Sequence, residues 1–318
     1  MRAIGFNVFG GPEVLHELEH PDPEPRSDEV RIRVAASTVN NGDTYMRKGQ
    51  VGSLAHRPPW VPGMEAAGVI DQVGAIASSR FAVGDPVTAF VIPTDPRGGA
   101  YGELAVTSTR RVIEIPKGST VSEAATLPMN GITAHLLLNA MSLRPGDVVA
   151  VIGAAGAVGG YVVELAHAAG FTVIADAAPS DRELVARLGA DIVVPRGEQV
   201  LRAIHAAADG EVDAVALTTA PWLDAASIVR PGGVVATAVG ISDGAQLSAA
   251  RRRGVQIVPV RVDLEEDPAP MLELLRQLTE EGALSLRVAD ELPARDAAEA
   301  HRRLEAGGLR GRQVLRFD

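Results

Sequence analysis

The 318-residue chain contains no cysteine. That excludes a disulfide framework, a Cys-ligated zinc, an iron–sulfur cluster and a thiolate nucleophile. Aromatic residues make up only 3%, so the core must be built mainly from Ala, Val, Ile and Leu, which the 46% hydrophobic content supplies. Positive charge is also short. Lys and Arg number 30 against 40 Asp and Glu, and the net charge of −10 argues against a nucleic-acid partner. The one dense basic run, Arg251-Arg252-Arg253, reads as a solvated helix end. The uncharged stretch 148–163 is rich in glycine and shorter than the ~18 apolar residues a spanning helix needs. Residues 1–9 read as a strand running into the Gly10-Gly11-Pro12 turn, with no apolar core of a secretion signal. The expectation is a soluble protein of the cytoplasm with no membrane partner.

Up to about residue 120 the pattern is that of short strands. Val30, Ile32 and Val34 alternate with Arg31 and Arg33, the period of a half-buried strand. Further apolar runs at 66–73, 86–91, 104–106 and 112–115 are separated by turn formers, which suggests a barrel or curled sheet. Ser122 is a plausible helix N-cap, with a helical stretch running toward Met141. From Val148 onward strands and helices alternate, with strands expected at 148–152, 172–175, 192–194, 212–217, 234–239 and 255–260. Such alternation means a parallel sheet covered on both faces. The tail reads as a helix at 268–281, a strand at 284–288, a helix at 297–305 and a last strand at 314–317.

The strongest local signal is the apolar run Val148–Ile152 followed by Gly153-Ala154-Ala155-Gly156-Ala157-Val158-Gly159. An apolar strand enters a small-residue turn and then an Ala-rich helix ended by Gly170. Small residues let a pyrophosphate approach the backbone, and the helix N-terminus offers it unpaired N–H groups. The pattern departs from strict G-x-G-x-x-G, with Ala154 in the first glycine place and Gly156 and Gly159 in the others.

Several segments, in order, resemble the medium-chain dehydrogenase/reductase superfamily and, within it, the zinc-free quinone oxidoreductases. They are the residues 39–49 (Val-Asn-Asn-Gly-Asp-Thr-Tyr-Met-Arg-Lys-Gly), Pro62-Gly63-Met64-Glu65, Gly84-Asp85, Gly99-Ala100-Tyr101-Gly102-Glu103, Gly131-Ile132-Thr133-Ala134, the 153–159 turn, Pro231-Gly232-Gly233 and Gly311-Arg312-Gln313. The resemblance implies an α/β protein: a Rossmann-type doubly wound parallel sheet over 122–266, plus a chaperonin-10-like β-barrel domain from 1–121 and 267–318. It implies a nicotinamide cofactor, held in such proteins in the cleft between the domains, and an acceptor pocket lined by loops around 49–62 and 90–100. It also implies a homodimer closed through the apolar stretch 255–262.

Zinc alcohol dehydrogenases carry a Cys where this chain has Asn40 and a His where it has Met64. Catalytic zinc needs three protein ligands, and Glu65 alone does not make a site. No metal is expected. The function implied is transfer of hydride from NADPH to a quinone or an α,β-unsaturated carbonyl. Alternatives are a biosynthetic enoyl reductase for one dedicated metabolite, or a nucleotide-binding protein with little turnover.

The catalytic candidates are Asn40, Tyr45 and Asp43. Asn40 stands in the place of the lost Cys, the Tyr45 phenol can donate to a carbonyl oxygen, and Asp43 can orient its neighbours. Cofactor-binding candidates are Thr133, Gly153, Ala155, Gly156, Ala157, Val158, Gly159, Asp176, Ser180, Arg182, Thr218 and Gly240. Asp176 lies near the distance from the turn at which an acid bonds the ribose of NAD. By the resemblance, however, Ala177 is the matching position, and Ser180 and Arg182 fall where NADPH users keep a hydroxyl and a basic residue. The balance favours NADP, with NAD as the other choice.

Overall fold

The computed structural model describes residues 1–51, 54, 56–219, 224–240 and 244–317. The chain divides into two compact units. One holds Met1–Met129, Glu266–Gly282 and Leu286–Asp318; the other holds Asn130–Glu265 and Ala283–Ser285.

The first unit is organised by the strand Glu29–Thr38. Val30, Ile32 and Val34 face a buried core while Arg31 and Arg33 reach outward to Asp71 on the neighbouring strand Glu65–Val73. Its other edge is shared: Leu104–Ser108 pairs with its first half and Arg312–Arg316 with its last. The sheet continues through Pro86–Phe90 to Val112–Glu114. One strand with three neighbours curls the sheet around its buried face. The tail closes the unit. Val288–Pro293 and Arg312–Arg316 form a parallel pair joined through the helix Ala297–Ala306. On one face Val39, Met46, Tyr101, Ala297, Ala300 and Leu315 share a core with Phe6 and Trp60.

The second unit is a six-stranded parallel sheet. The strands lie in the order Ile192–Pro195, Thr172–Ala177, Val148–Ile152, Val212–Leu217, Val229–Thr237 and Gln256–Pro259. The chain starts at a central strand and winds first one way, then the other. Ligands of open parallel sheets bind where the direction reverses, beyond the carboxyl ends of the strands. Here that point lies beside Val148–Ile152. Both faces are apolar, as two-sided burial requires.

Four sequence expectations need correction. The N-cap is Thr120, not Ser122: Thr120 and Glu123 form a reciprocal capping box before the helix Val121–Ala125. The helical stretch is broken, and a second helix starts at Pro128, whose ring fits a first turn. The expected strand at 284–288 is instead Val288–Pro293, where pairing with Arg312–Arg316 overrides the poor strand propensity of Asp290 and Glu291. The edge strand is shorter than 255–262, spanning Gln256–Pro259, and Val262 opens a short 3₁₀ turn.

Candidate active site

The glycine turn of the second unit is tightly constrained. Gly153 has φ +94°, and a Cβ there would lie 2.5 Å from Thr218 Oγ1. A Cβ on Gly159 would lie 2.1 Å from the Gly153 carbonyl oxygen. Only glycine permits that approach of helix to strand. Gly156 is the N-cap of the 12-residue helix Ala157–Ala168. Ala157, Val158 and Gly159 therefore form the first turn of the helix. Amides of a first helical turn have no acceptor within the helix. Gly156, Ala157 and Val158 are the partly exposed part of the turn, while Gly153, Ala155 and Gly159 are buried. Thr218 braces the turn from below through its hydroxyl, which donates to Ile152 O at 2.9 Å.

Asp176 ends in the same place. Its Oδ1 accepts from the Gly153 and Ala154 amides at 2.6 and 3.1 Å. Asp176 rather than Ala177 is thus the residue directed at the turn. The resemblance had made Ala177 the matching position. Two backbone donors fix its orientation. Gly240 follows the strand Val229–Thr237 and is exposed. Ser180 and Arg182 are exposed around the start of the helix Arg182–Arg187. Thr133 is buried within the helix Pro128–Met141. A turn of small residues, a long helix N-terminus and an anchored carboxylate at the carboxyl ends of parallel strands fit the pyrophosphate and adenosine ribose of a nicotinamide dinucleotide.

In the first unit the candidates gather around two buried carboxyl groups. Glu65 is fully buried, and its Oε2 accepts from the Thr38 hydroxyl, from Asn40 Nδ2 at 3.1 Å and from Arg312 Nη2 at 3.3 Å. Its Oε1 accepts from the Met129 amide at 2.7 Å. Asn40, itself buried, also donates to Thr38 Oγ1 at 3.2 Å. The cation beside Glu65 is a guanidinium of the same chain. Among the described residues no group of three or more His, Cys, Asp or Glu side chains is placed to hold a metal ion.

Asp43 lies in the first turn of the helix Asn41–Arg47 and is also fully buried. Its carboxyl accepts from the Asn40 and Gly63 amides, both at 2.8 Å. It thereby ties the start of this helix to the segment leading into Glu65. Burial pushes the Asp43 carboxyl up to about 7, against the lowering effect of those two amides. Burial holds the Tyr101 phenol well above its ordinary value, with the Asp43 charge adding to the effect. The same hydroxyl lies 3.1 Å from His301 Nε2. Burial pulls His301 down to about 3, with Arg47 adding to the effect. The ring is therefore neutral. Tyr45 differs from all of these: it is 49% exposed on the outer side of its helix. In the expected acceptor loops, residues 52, 53 and 55 lie outside the described residues.

Sequence reasoning assigned no role to Tyr101, Arg312, His301 or Arg196. Tyr101 and Arg312 stand in the motifs that carry the resemblance, but their partners lie 200 and 247 residues away.

The family described as "Alcohol dehydrogenase GroES-like domain" matches residues 26–117, and that described as "Zinc-binding dehydrogenase" matches 188–315. A quinone oxidoreductase of Pseudomonas aeruginosa is 30% identical over 333 aligned positions, covering 99% of both chains. The chain belongs to the quinone oxidoreductases of the medium-chain dehydrogenase/reductase superfamily. It is an oxidoreductase, with a GroES-like domain and a Rossmann-like parallel sheet. Among solved structures, a mycobacterial protein complexed with NADPH superposes with a TM-score of 0.87 at 28% identity, covering 100% of each chain. CurK enoyl reductase superposes at 0.88 with 25% identity, covering 100% of this chain and 99% of that one. Among the described residues no helix is long and apolar enough to cross a membrane.

Proposed function

We propose that this oxidoreductase transfers hydride from NADPH to a quinone or an α,β-unsaturated carbonyl in the cytoplasm, without a metal. The observation that carries the reading is the pairing of a glycine turn built for a dinucleotide with a Glu65 whose oxygens are already engaged by Thr38, Asn40, Arg312 and Met129. When bound, the reduced nicotinamide supplies the hydride. The chain's own task is to place the acceptor, stabilise the negative charge that develops on its oxygen and deliver one proton there. Tyr45 is the candidate donor, because its phenol reaches solvent whereas Asn40 and Asp43 are buried. Asn40 and Asp43 serve as positioning residues: Asp43 holds the helix start against Gly63, and Asn40 links it to Glu65.

The test is oxidation of NADPH and NADH across quinones, enones and enoyl thioesters. Turnover of quinones or enones without enoyl thioesters supports the reading. Turnover of enoyl thioesters alone favours a dedicated enoyl reductase, the second reading, which the likeness to CurK supports. Tight cofactor binding without turnover leaves a binding protein. In Tyr45→Phe, kcat is expected to fall by up to roughly 10²–10³ with cofactor binding unchanged. An unaltered kcat across the panel returns Tyr45 to packing.

Assembly belongs to the same reading. Gln256–Pro259 is an edge strand of the parallel sheet, with Ile257 and Val258 half-buried. An apolar edge is closed most simply by its own copy across a two-fold axis. Light scattering at micromolar concentration is expected to give the mass of a homodimer; a monomer mass removes this part of the proposal.

A further inference from the structure

We propose that Arg196 is the residue that admits the 2′-phosphate of NADPH, and that with Asp176 it forms a two-part reader that accepts either cofactor. The assignment rests on the nicotinamide reading above.

Arg196 follows the strand Ile192–Pro195, next to the strand Thr172–Ala177 that carries Asp176. Its backbone amide donates to Ala177 O at 3.0 Å, which fixes it beside the end of that strand. Its Nε lies 3.9 Å from Asp176 Oδ2. The distance exceeds that of a hydrogen bond, so the pair is held by charge alone. Among the described residues no acceptor lies within hydrogen-bond distance of the guanidinium. The Arg196 side chain is 45% exposed and that of Asp176 3%.

The two oxygens of Asp176 have different work. Oδ1 is committed to the Gly153 and Ala154 amides, which locks the carboxylate in place. Oδ2 is directed toward Arg196 and keeps its capacity to accept from ribose hydroxyls. Alone, such a carboxylate selects NADH, because a 2′-phosphate beside it is repelled. A guanidinium at its side reverses that sign locally. Its planar fork can bond a phosphate at two places, and its long exposed stem costs little to redirect. Arg196 left on Asp176 serves the ribose of NADH, and Arg196 turned to the phosphate serves NADPH. Ser180 and Arg182, the residues expected from the sequence, stand nearby in the chain. Only Arg196 is tied to the turn through a described contact.

Fluorescence titration of wild-type protein, Arg196→Ala, Arg196→Lys and Arg182→Ala with NADPH and NADH tests the assignment, with no turnover required. Arg196→Ala is expected to weaken NADPH about 10- to 100-fold while changing NADH less than about threefold. Arg196→Lys, a point charge without the fork, should recover part of the loss. Equal effects on both cofactors, or a selective loss in Arg182→Ala with none in Arg196→Ala, overturn the assignment while leaving the nicotinamide reading intact. Wild-type protein that binds neither cofactor overturns both.

Discussion

Arg312→Met is expected to destabilise the protein by about 3–5 kcal/mol, the cost of leaving a buried charge without its partner. Glu65 is fully buried, and Arg312 is the one cation whose nitrogen reaches its oxygens among the described residues. The other donors, Thr38, Asn40 and Met129, are neutral and cannot replace that charge. Methionine matches the length of the arginine stem, so little packing is lost and the effect is that of the guanidinium, its charge together with its bond to Thr38 Oγ1. The penalty is that of an uncompensated buried carboxylate, so Arg312→Met with Glu65→Gln should be more stable than Arg312→Met alone. Urea unfolding at pH 7 measures both. A loss under about 1 kcal/mol at pH 7 would show that the pair is structurally incidental.

The same pair marks the border of what a sequence reveals. The parallel sheet was legible because its apolar runs are short and end at glycines or turns. Gly153 and Gly159 were legible because a positive φ and a close helix–strand approach leave no other choice of residue. Thr120 was overlooked although the Thr120 to Glu123 interval is itself the capping-box signature. Val288–Pro293 was misplaced because two of its residues are acidic, and only its partner strand makes it a strand. The site divides in the same way. Asn40 and Asp43 lie in one motif and were found together. Arg312 meets Glu65 across 247 residues, Tyr101 meets His301 across 200, and Arg196 meets Asp176 from a neighbouring strand. No local pattern carries those encounters; the curl of one sheet and the strand order of the other do.

The second large effect is a pair of opposed pH dependences carried by the buried Asp43 and His301. Burial raises the Asp43 carboxyl from 3.8 to about 7, with Glu65 adding slightly and Arg312 and the Asn40 and Gly63 amides opposing. Between those values the folded protein keeps a proton that the unfolded chain has released. Its contribution is therefore most favourable below pH 3.8 and falls by about 1.4 kcal/mol per unit as the pH rises to 7. Burial lowers His301 from 6.5 to about 3, with Arg47 and Lys48 in the same sense and Glu305 against. Here the unfolded chain holds a proton that the folded protein refuses. This contribution is complete above pH 6.5 and falls by about 1.4 kcal/mol per unit as the pH drops to 3. Between about pH 4 and 6.5 the slopes cancel, and the pair adds almost no pH dependence to the wild-type protein. Single variants should expose each slope. Asp43→Asn should lose roughly 3 kcal/mol more than wild type on acidification from pH 6.5 to 4, because only His301 remains. His301→Gln, which retains a donor for Tyr101, should gain by a similar amount over the same range. Urea unfolding at half-unit pH steps, with unchanged m values, reads both. Slopes in the two variants that match wild type would mean that neither group titrates away from its ordinary value. A slope of the same sign in both would mean that the two groups do not oppose each other.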